Sequence, residues 1–156
     1  MEQTNRLETL IDQYTNTLLR TAAAILGDPY EAEDAVQDTF LRYLEKRPQF
    51  QDEGHERAWL LKVTANLCRS RLRSPWYKRR EELPETIPAS DAAGETLREL
   101  IDRLPKDLRA AVYLHYYEGY STKECAELLG VKESTLRMRL HRARALLKNW
   151  IEEDEA

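Results

Sequence analysis

The stretch STKECAELLGVKESTLRMRLHRARALLK (121–148) restricts the possible folds more than any other part of the chain. It opens on a capping box, in which Ser121 caps a helix and Glu124 reaches back to the cap. That helix covers about 122–129 and stops at Gly130, and a longer helix starts shortly after it. On a wheel of about 100° per residue, Leu136, Leu140, Ala143 and Leu147 of the longer helix share one face and must pack inward. Arg137, His141, Arg144 and Lys148 line up roughly opposite, and Met138, Arg142 and Ala145 fill the remaining exposed sector. Arg139 falls beside the core edge, which suits a structural or phosphate role. A short helix, a glycine-bearing turn and a longer basic helix make a helix-turn-helix. The N-terminal part of its second helix reads base edges in the major groove, which nominates Arg137, Met138, His141 and Arg142 as DNA-binding readers. Arginine can bind guanine through two hydrogen bonds, and methionine can touch a thymine methyl. Lys148, further along, suits a phosphate.

The concentration of positive charge stands out because the chain as a whole carries a formal net charge of -4. The charges are segregated. Residues 28–56 hold nine acids and three bases, whereas residues 69–80 hold six bases and no acid. Between this basic block and the C-terminal one lies EELPETIPASDAAGE (81–95), with five acids, two prolines and no base. Such a segment has little apolar surface to bury and reads as a flexible linker. At 156 residues with 42% hydrophobic content, the expected fold is all-α: two small helical domains joined by a flexible acidic linker, the second a helix-turn-helix. The expected boundaries are 5–80, the linker 81–95, and 96–151.

Helical spacing recurs through the first half. Leu7, Leu10/Ile11, Tyr14, Leu18, Ala22 and Ile25 form one stripe that Gly27 ends, and Asp28-Pro29 is a helix start. The next helix, about 30–47, should bury Ala32, Val36, Thr39/Phe40 and Tyr43/Leu44, with Glu31, Asp34, Asp38 and Glu45 on its opposite face. A third helix, about 56–73, carries the apolar residues Leu60, Val63 and Leu67. Lys62, Asn66, Arg69 and Arg73 follow at i, i+4, i+7 and i+11 and so form one polar ridge. SPWYKRR (74–80) continues it with aromatics. Basic side chains contact phosphates while aromatic faces stack on unpaired bases, so the ridge is a second candidate nucleic-acid surface. Trp59 admits either core packing or base contact.

After the linker, Leu97, Leu100, Ile101 and Leu104 mark a short helix that ends before Pro105. Leu108, Ala111/Val112 and His115, read as a core histidine, mark another that reaches about Glu118.

Cys68 and Cys125 are far apart in apolar surroundings and lack metal-ligand spacing, so two buried, reduced thiols are expected and no metal or cofactor. No apolar run reaches the length of a membrane span, and MEQTNRLETL lacks the segments of a signal peptide. A cytoplasmic protein without membrane insertion is expected. No Walker loop or paired catalytic carboxylates occur, so no catalytic residues and no enzymatic activity are assigned.

Taken together, DPYEAEDAVQDTFLRYLEK, AWLLKVTANLCRSRLR and LPKDLRAAVYLHYYEGYSTKECAELLGVKESTLRMRLHRARALLK closely resemble the extracytoplasmic-function sigma factors. These are the smallest bacterial sigma factors, retaining the family's second and fourth domains. The resemblance runs from about Leu10 to Leu147. It implies a transcription initiation factor that binds core RNA polymerase and promoter DNA, with an anti-sigma protein as the usual regulator. By the same resemblance, the acidic helix with Glu31, Asp34 and Asp38 docks on the clamp helices of the polymerase. The loop before Trp59 and the helix after it melt and read the minus-ten element, with Asn66 at a base-reading position. The helix-turn-helix reads the minus-thirty-five element and its domain docks on the polymerase flap, while the linker threads toward the RNA exit channel.

Three other readings compete. A stand-alone helix-turn-helix repressor dimerises on palindromic half-sites, which would leave the N-terminal half unexplained. A phosphoryl- or nucleotide-processing enzyme lacks its motifs. A helical protein-binding adaptor accounts for the acidic helix but not for two basic reading faces.

Overall fold

The computed structural model describes residues 2–75 and 96–155. The basic aromatic stretch 76–80 and the acidic linker 81–95 lie outside the described residues. The chain divides into two compact units, Met1–Ser74 and Pro75–Ala156. All regular structure among the described residues is helical.

The first unit contains α1 (Glu2–Leu26), α2 (Pro29–Lys46) and α3 (Glu53–Leu72), each packed against the other two. Gly27 ends α1 at φ 70°, a conformation that costs glycine nothing. Asp28 then caps α2, its Oδ1 accepting from the Tyr30 and Glu31 N–H groups at 2.9 and 3.3 Å. Asp52 caps α3 by accepting from His55 N at 2.8 Å. The core joins Leu10, Tyr14, Leu18, Ala22 and Ile25 of α1 to Ala32, Ala35, Val36 and Phe40 of α2 and to Leu60, Leu61, Ala65 and Cys68 of α3.

Sequence periodicity misjudged α2 and α3 in several places. Val63 and Leu67 are only half-buried. The face of α3 that packs inward carries Leu60, Leu61, Thr64, Ala65 and Cys68, because α3 must contact two helices and therefore buries a broad face. Leu44 is exposed and Tyr43 half-buried, while Ala35, which belongs to no expected stripe, is buried. Where α2 meets α3, the hydroxyls of Thr39 and Thr64 lie 2.8 Å apart, and each also bonds the carbonyl four residues before it, Ala35 and Leu60. Glu56, in the first turn of α3, is buried as well and pairs with Arg6 of α1. Its Oε1 atom has no hydrogen-bond partner among the described residues.

The second unit contains α4 (Leu97–Asp102), α5 (Lys106–Val112), a π-helical turn (Tyr113–Tyr117), α6 (Thr122–Leu129) and α7 (Glu133–Glu155). Thr96 with Glu99, and Ser121 with Glu124, form capping boxes that start α4 and α6. The expected regular helix to Glu118 instead widens into the π turn after Val112. Half-buried there, His115 is not a core residue; its Nδ1 lies 2.7 Å from the Tyr120 carbonyl. A carbonyl only accepts, so that nitrogen carries the proton. The Cys125 thiol donates to the same carbonyl at 3.6 Å. Tyr113 donates to Asp102 Oδ1 at 2.5 Å, and burial together with that bond pushes its pKa up to about 12. Both cysteines are free and buried, with burial raising each thiol to about 12.

Candidate nucleic-acid and polymerase interfaces

In the second unit the helix-turn-helix forms as its sequence dictates. α6 ends at Gly130, which takes the left-handed conformation at φ 69° and ψ 33°. The Lys132 carbonyl accepts from Leu136 N at 3.1 Å and so opens α7. Leu136, Leu140 and Ala143 are buried, with Leu147 half-buried at the edge of the same face. This orientation leaves Arg137, Met138, His141, Arg142, Arg144 and Lys148 exposed together. Met138 is 50% exposed and so is open to contact from outside the unit. Arg139 turns back to Asp107 on α5 at 3.8 Å, a structural pairing in keeping with its place on the wheel.

Glu133 begins α7, and sequence reasoning assigned it no role. Its Oε1 accepts from Thr122 Oγ1 on α6 and from the Arg137 guanidinium, both at 2.8 Å. These bonds, the one from Thr122 first, hold the Glu133 carboxyl below the usual carboxylate range.

In the first unit, the polar ridge of α3 is present. Lys62, Asn66 and Arg73 are exposed and Arg69 is half-buried. Arg69 donates to Asn66 Oδ1, so the amide oxygen of this exposed residue is engaged. Trp59 is half-buried in an aromatic cluster, edge-on to Tyr43 and Phe50 at 6.3 and 5.9 Å. The ring of His55 meets Phe50 at 5.3 Å, and its Nδ1 accepts from Gln51 N at 3.2 Å. The turn from α2 to α3 is thereby fastened by ring packing, with Arg47 at φ 45° starting it.

The acidic face of α2 departs from a simple solvated surface. Arg71, near the end of α3, reaches across and donates to Glu31 Oε2 at 2.6 Å and to Asp38 Oδ2 at 3.0 Å. Asp34 lies 4.0 Å from the same guanidinium and stays open to solvent, with 62% of its side chain exposed. Burial works against the Arg71 charge, but the bonds to Glu31 and Asp38 outweigh it and its pKa is raised. Glu31 and Asp38 are consequently half-buried and neutralised from within the unit. The spacing of 31, 34 and 38 places the three acids on one helix face, but the cation that meets them comes from α3 and depends on how the two helices cross.

No group of three or more His, Cys, Asp or Glu side chains that could hold a metal occurs among the described residues. No described helix is long and apolar enough to cross a membrane.

Comparison with known proteins matches residues 10–80 to sigma-70 region 2 and residues 94–147 to sigma-70 region 4. The chain is 34% identical to the ECF RNA polymerase sigma factor SigE of Mycolicibacterium smegmatis over 91% of its own length, and it spans 60% of that protein. It is 30% identical to the ECF RNA polymerase sigma factor SigL of Mycobacterium tuberculosis, covering 94% of this chain and 89% of that one. Among solved structures, the fold is shared with the sigma factor RpoE of Bartonella quintana, seen in complex with the anti-sigma factor NepR. That similarity has a TM-score of 0.64 at 22% identity and covers 93% of this chain and 96% of the other. Two sigma-70 regions in order, an acidic helix in the first and a basic helix-turn-helix in the second, make the chain a member of the extracytoplasmic-function sigma factor family.

Proposed function

We propose that the chain directs promoter-specific transcription initiation by binding core RNA polymerase and recognising two separated DNA elements. The observation that carries this reading is the presence in one short chain of two DNA-suited faces on different helical units. One is the α3 ridge, and the other is the exposed face of α7. In this reading residues 5–80 form the domain that docks on the clamp and handles the minus-ten element, and residues 96–151 form the domain that recognises the minus-thirty-five element.

Glu31, Asp34 and Asp38 meet the polymerase. Lys62, Asn66, Arg69 and Arg73 meet the opened strand, and the readers Arg137, Met138, His141 and Arg142 enter the major groove, with Lys148 on phosphate. Extruding a base costs a few kcal/mol, which aromatic stacking and backbone contacts along a basic ridge offset. The protein supplies recognition and no catalytic chemistry. An anti-sigma protein is the proposed regulator, and the cytoplasm the proposed location.

Reconstituted transcription with core polymerase on a genomic fragment library tests the reading. Initiation at a defined set of sites, dependent on both proteins, is expected. Tight sequence-specific binding to a palindromic duplex by the protein alone, with no polymerase-dependent initiation, would instead establish a stand-alone repressor.

A further inference from the structure

We propose that Glu133 is a specificity-determining residue of the upstream-element reader, acting by positioning Arg137; this rests on the proposed insertion of α7 into the major groove. Glu133 is the one acid between Lys132 and Lys148. On a surface that approaches phosphates, a carboxylate weakens binding to every DNA sequence, so its presence calls for a compensating role. The geometry supplies one.

A single oxygen, Oε1, receives both the Thr122 hydroxyl from α6 and the Arg137 guanidinium from one turn along α7. Glutamate placed four residues before arginine is the favourable order on a helix, and an acid in the first turn complements the helix dipole. An unrestrained arginine has many rotamers to lose on binding, whereas one held at one edge of its planar fork loses fewer. The remaining guanidinium N–H groups are sufficient for a two-bond contact to guanine. Because Thr122 anchors the carboxylate, the direction of Arg137 follows the placement of α6 against α7. The two helices of the motif thus set the aim of one reader through Glu133.

The test uses holoenzyme reconstituted from the full chain and core polymerase, with promoters randomised in the upstream element. Arg137→Ala first identifies the base pair that this residue reads. Glu133→Ala is expected to lower preference at that same base pair by about five- to tenfold, the lower part of what a bidentate contact discriminates. Affinity averaged over all sequences should hold or rise, since a negative charge has been removed. Thr122→Val, which cuts the tether to α6, should shift preference at the same base pair by a smaller factor. In the Arg137→Ala background, Glu133→Ala should change nothing further there.

A purely structural role would lower affinity uniformly and lower Tm without moving the base preference, which would overturn the proposal. So would a Glu133→Ala effect that persists without Arg137, because Glu133 would then be touching a base itself. If Arg137→Ala shifts preference but Glu133→Ala does not, only the positioning role falls. If Arg137→Ala leaves the upstream preference flat, the groove assignment of α7 falls and the positioning role with it.

Discussion

Under the proposed function, Arg71 places folding stability and polymerase affinity in opposition, and replacing it with alanine separates them. Its guanidinium makes charge-assisted bonds to Glu31 and Asp38 with its side chain 26% exposed, and their side chains are 22% and 47% exposed. Hydrogen bonds to charged groups contribute roughly 1.5–3 kcal/mol each in protected settings. The Asp38 bond belongs nearer the surface range of about 1 kcal/mol or less because half of that side chain meets water. The loss from Arg71→Ala is therefore expected to be about 2 kcal/mol, most of it from leaving Glu31 half-buried without a counter-ion. Urea unfolding at low salt should show this loss. At 1 M salt, where the screening length is about 3 Å, the loss should shrink.

The proposed clamp-docking surface uses the same carboxylates that Arg71 occupies, so a basic partner must compete with it. Arg71→Ala should consequently bind core polymerase at least as tightly as the wild type, and more tightly at low salt, measured well below the unfolding transition. A variant that lost affinity in proportion to its lost stability would refute this reasoning, because Arg71 would then be holding the acids in place for the partner.

Other outcomes follow from the same geometry. Asp34→Lys should weaken polymerase binding with a stability change within about 0.5 kcal/mol, as seen by competition binding and thermal melting, since Asp34 is more open to solvent than Glu31 or Asp38. Asn66→Ala should alter preference within the minus-ten element and reduce open-complex formation in permanganate footprinting, whereas Arg142→Ala should relax the minus-thirty-five element by roughly 1–3 kcal/mol in library initiation assays. Lys148→Ala should weaken binding uniformly and reduce the salt slope by about one. Cys68 and Cys125 sit one in each unit, with thiols raised to about 12. Alkylation near pH 8 should therefore proceed only through opening of the unit concerned, and mass spectrometry of the two peptides should give two independent rates.

Helix starts and stops were legible because they depend on local chemistry. Asp28, Ser121, Gly27 and Gly130 each act within a few residues of themselves. The core face of α7 was legible for a related reason, since an amphipathic helix that packs on one side declares that side by its 3.6 period. α3 was harder because it packs against two helices. Thr64 and Ala65 took inward positions that an apolar count gives to Val63 and Leu67. Buried charge escaped the reading altogether. Composition places Glu56 among the acids of a polar stretch, yet it lies inside against Arg6, fifty residues away in sequence. Composition places Arg71 only within a basic block. Its partners were fixed by the crossing of α2 and α3, which no periodicity contains. The exposed face of α7 was readable from the wheel, but the Thr122–Glu133–Arg137 connection was not, since it depends on where α6 comes to rest.

The threonine pair between α2 and α3 has a consequence that follows from counting protons. Thr39 and Thr64 each have one hydroxyl hydrogen, and between them they make three short contacts: one to each helix's own carbonyl and one to each other. Two hydrogens cannot fill three contacts, so at any instant one of the three is an approach of oxygen to oxygen with nothing between. The vacancy can rotate among the three positions by turning a hydroxyl, without moving a heavy atom. The seam between these helices therefore stays polar while its two hydroxyls offer more than one arrangement of hydrogen. A valine at either position would release the competition and leave the remaining hydroxyl free to serve its own carbonyl. Thr39→Val is therefore expected to cost less than the loss of a full buried hydrogen bond, as urea unfolding would show.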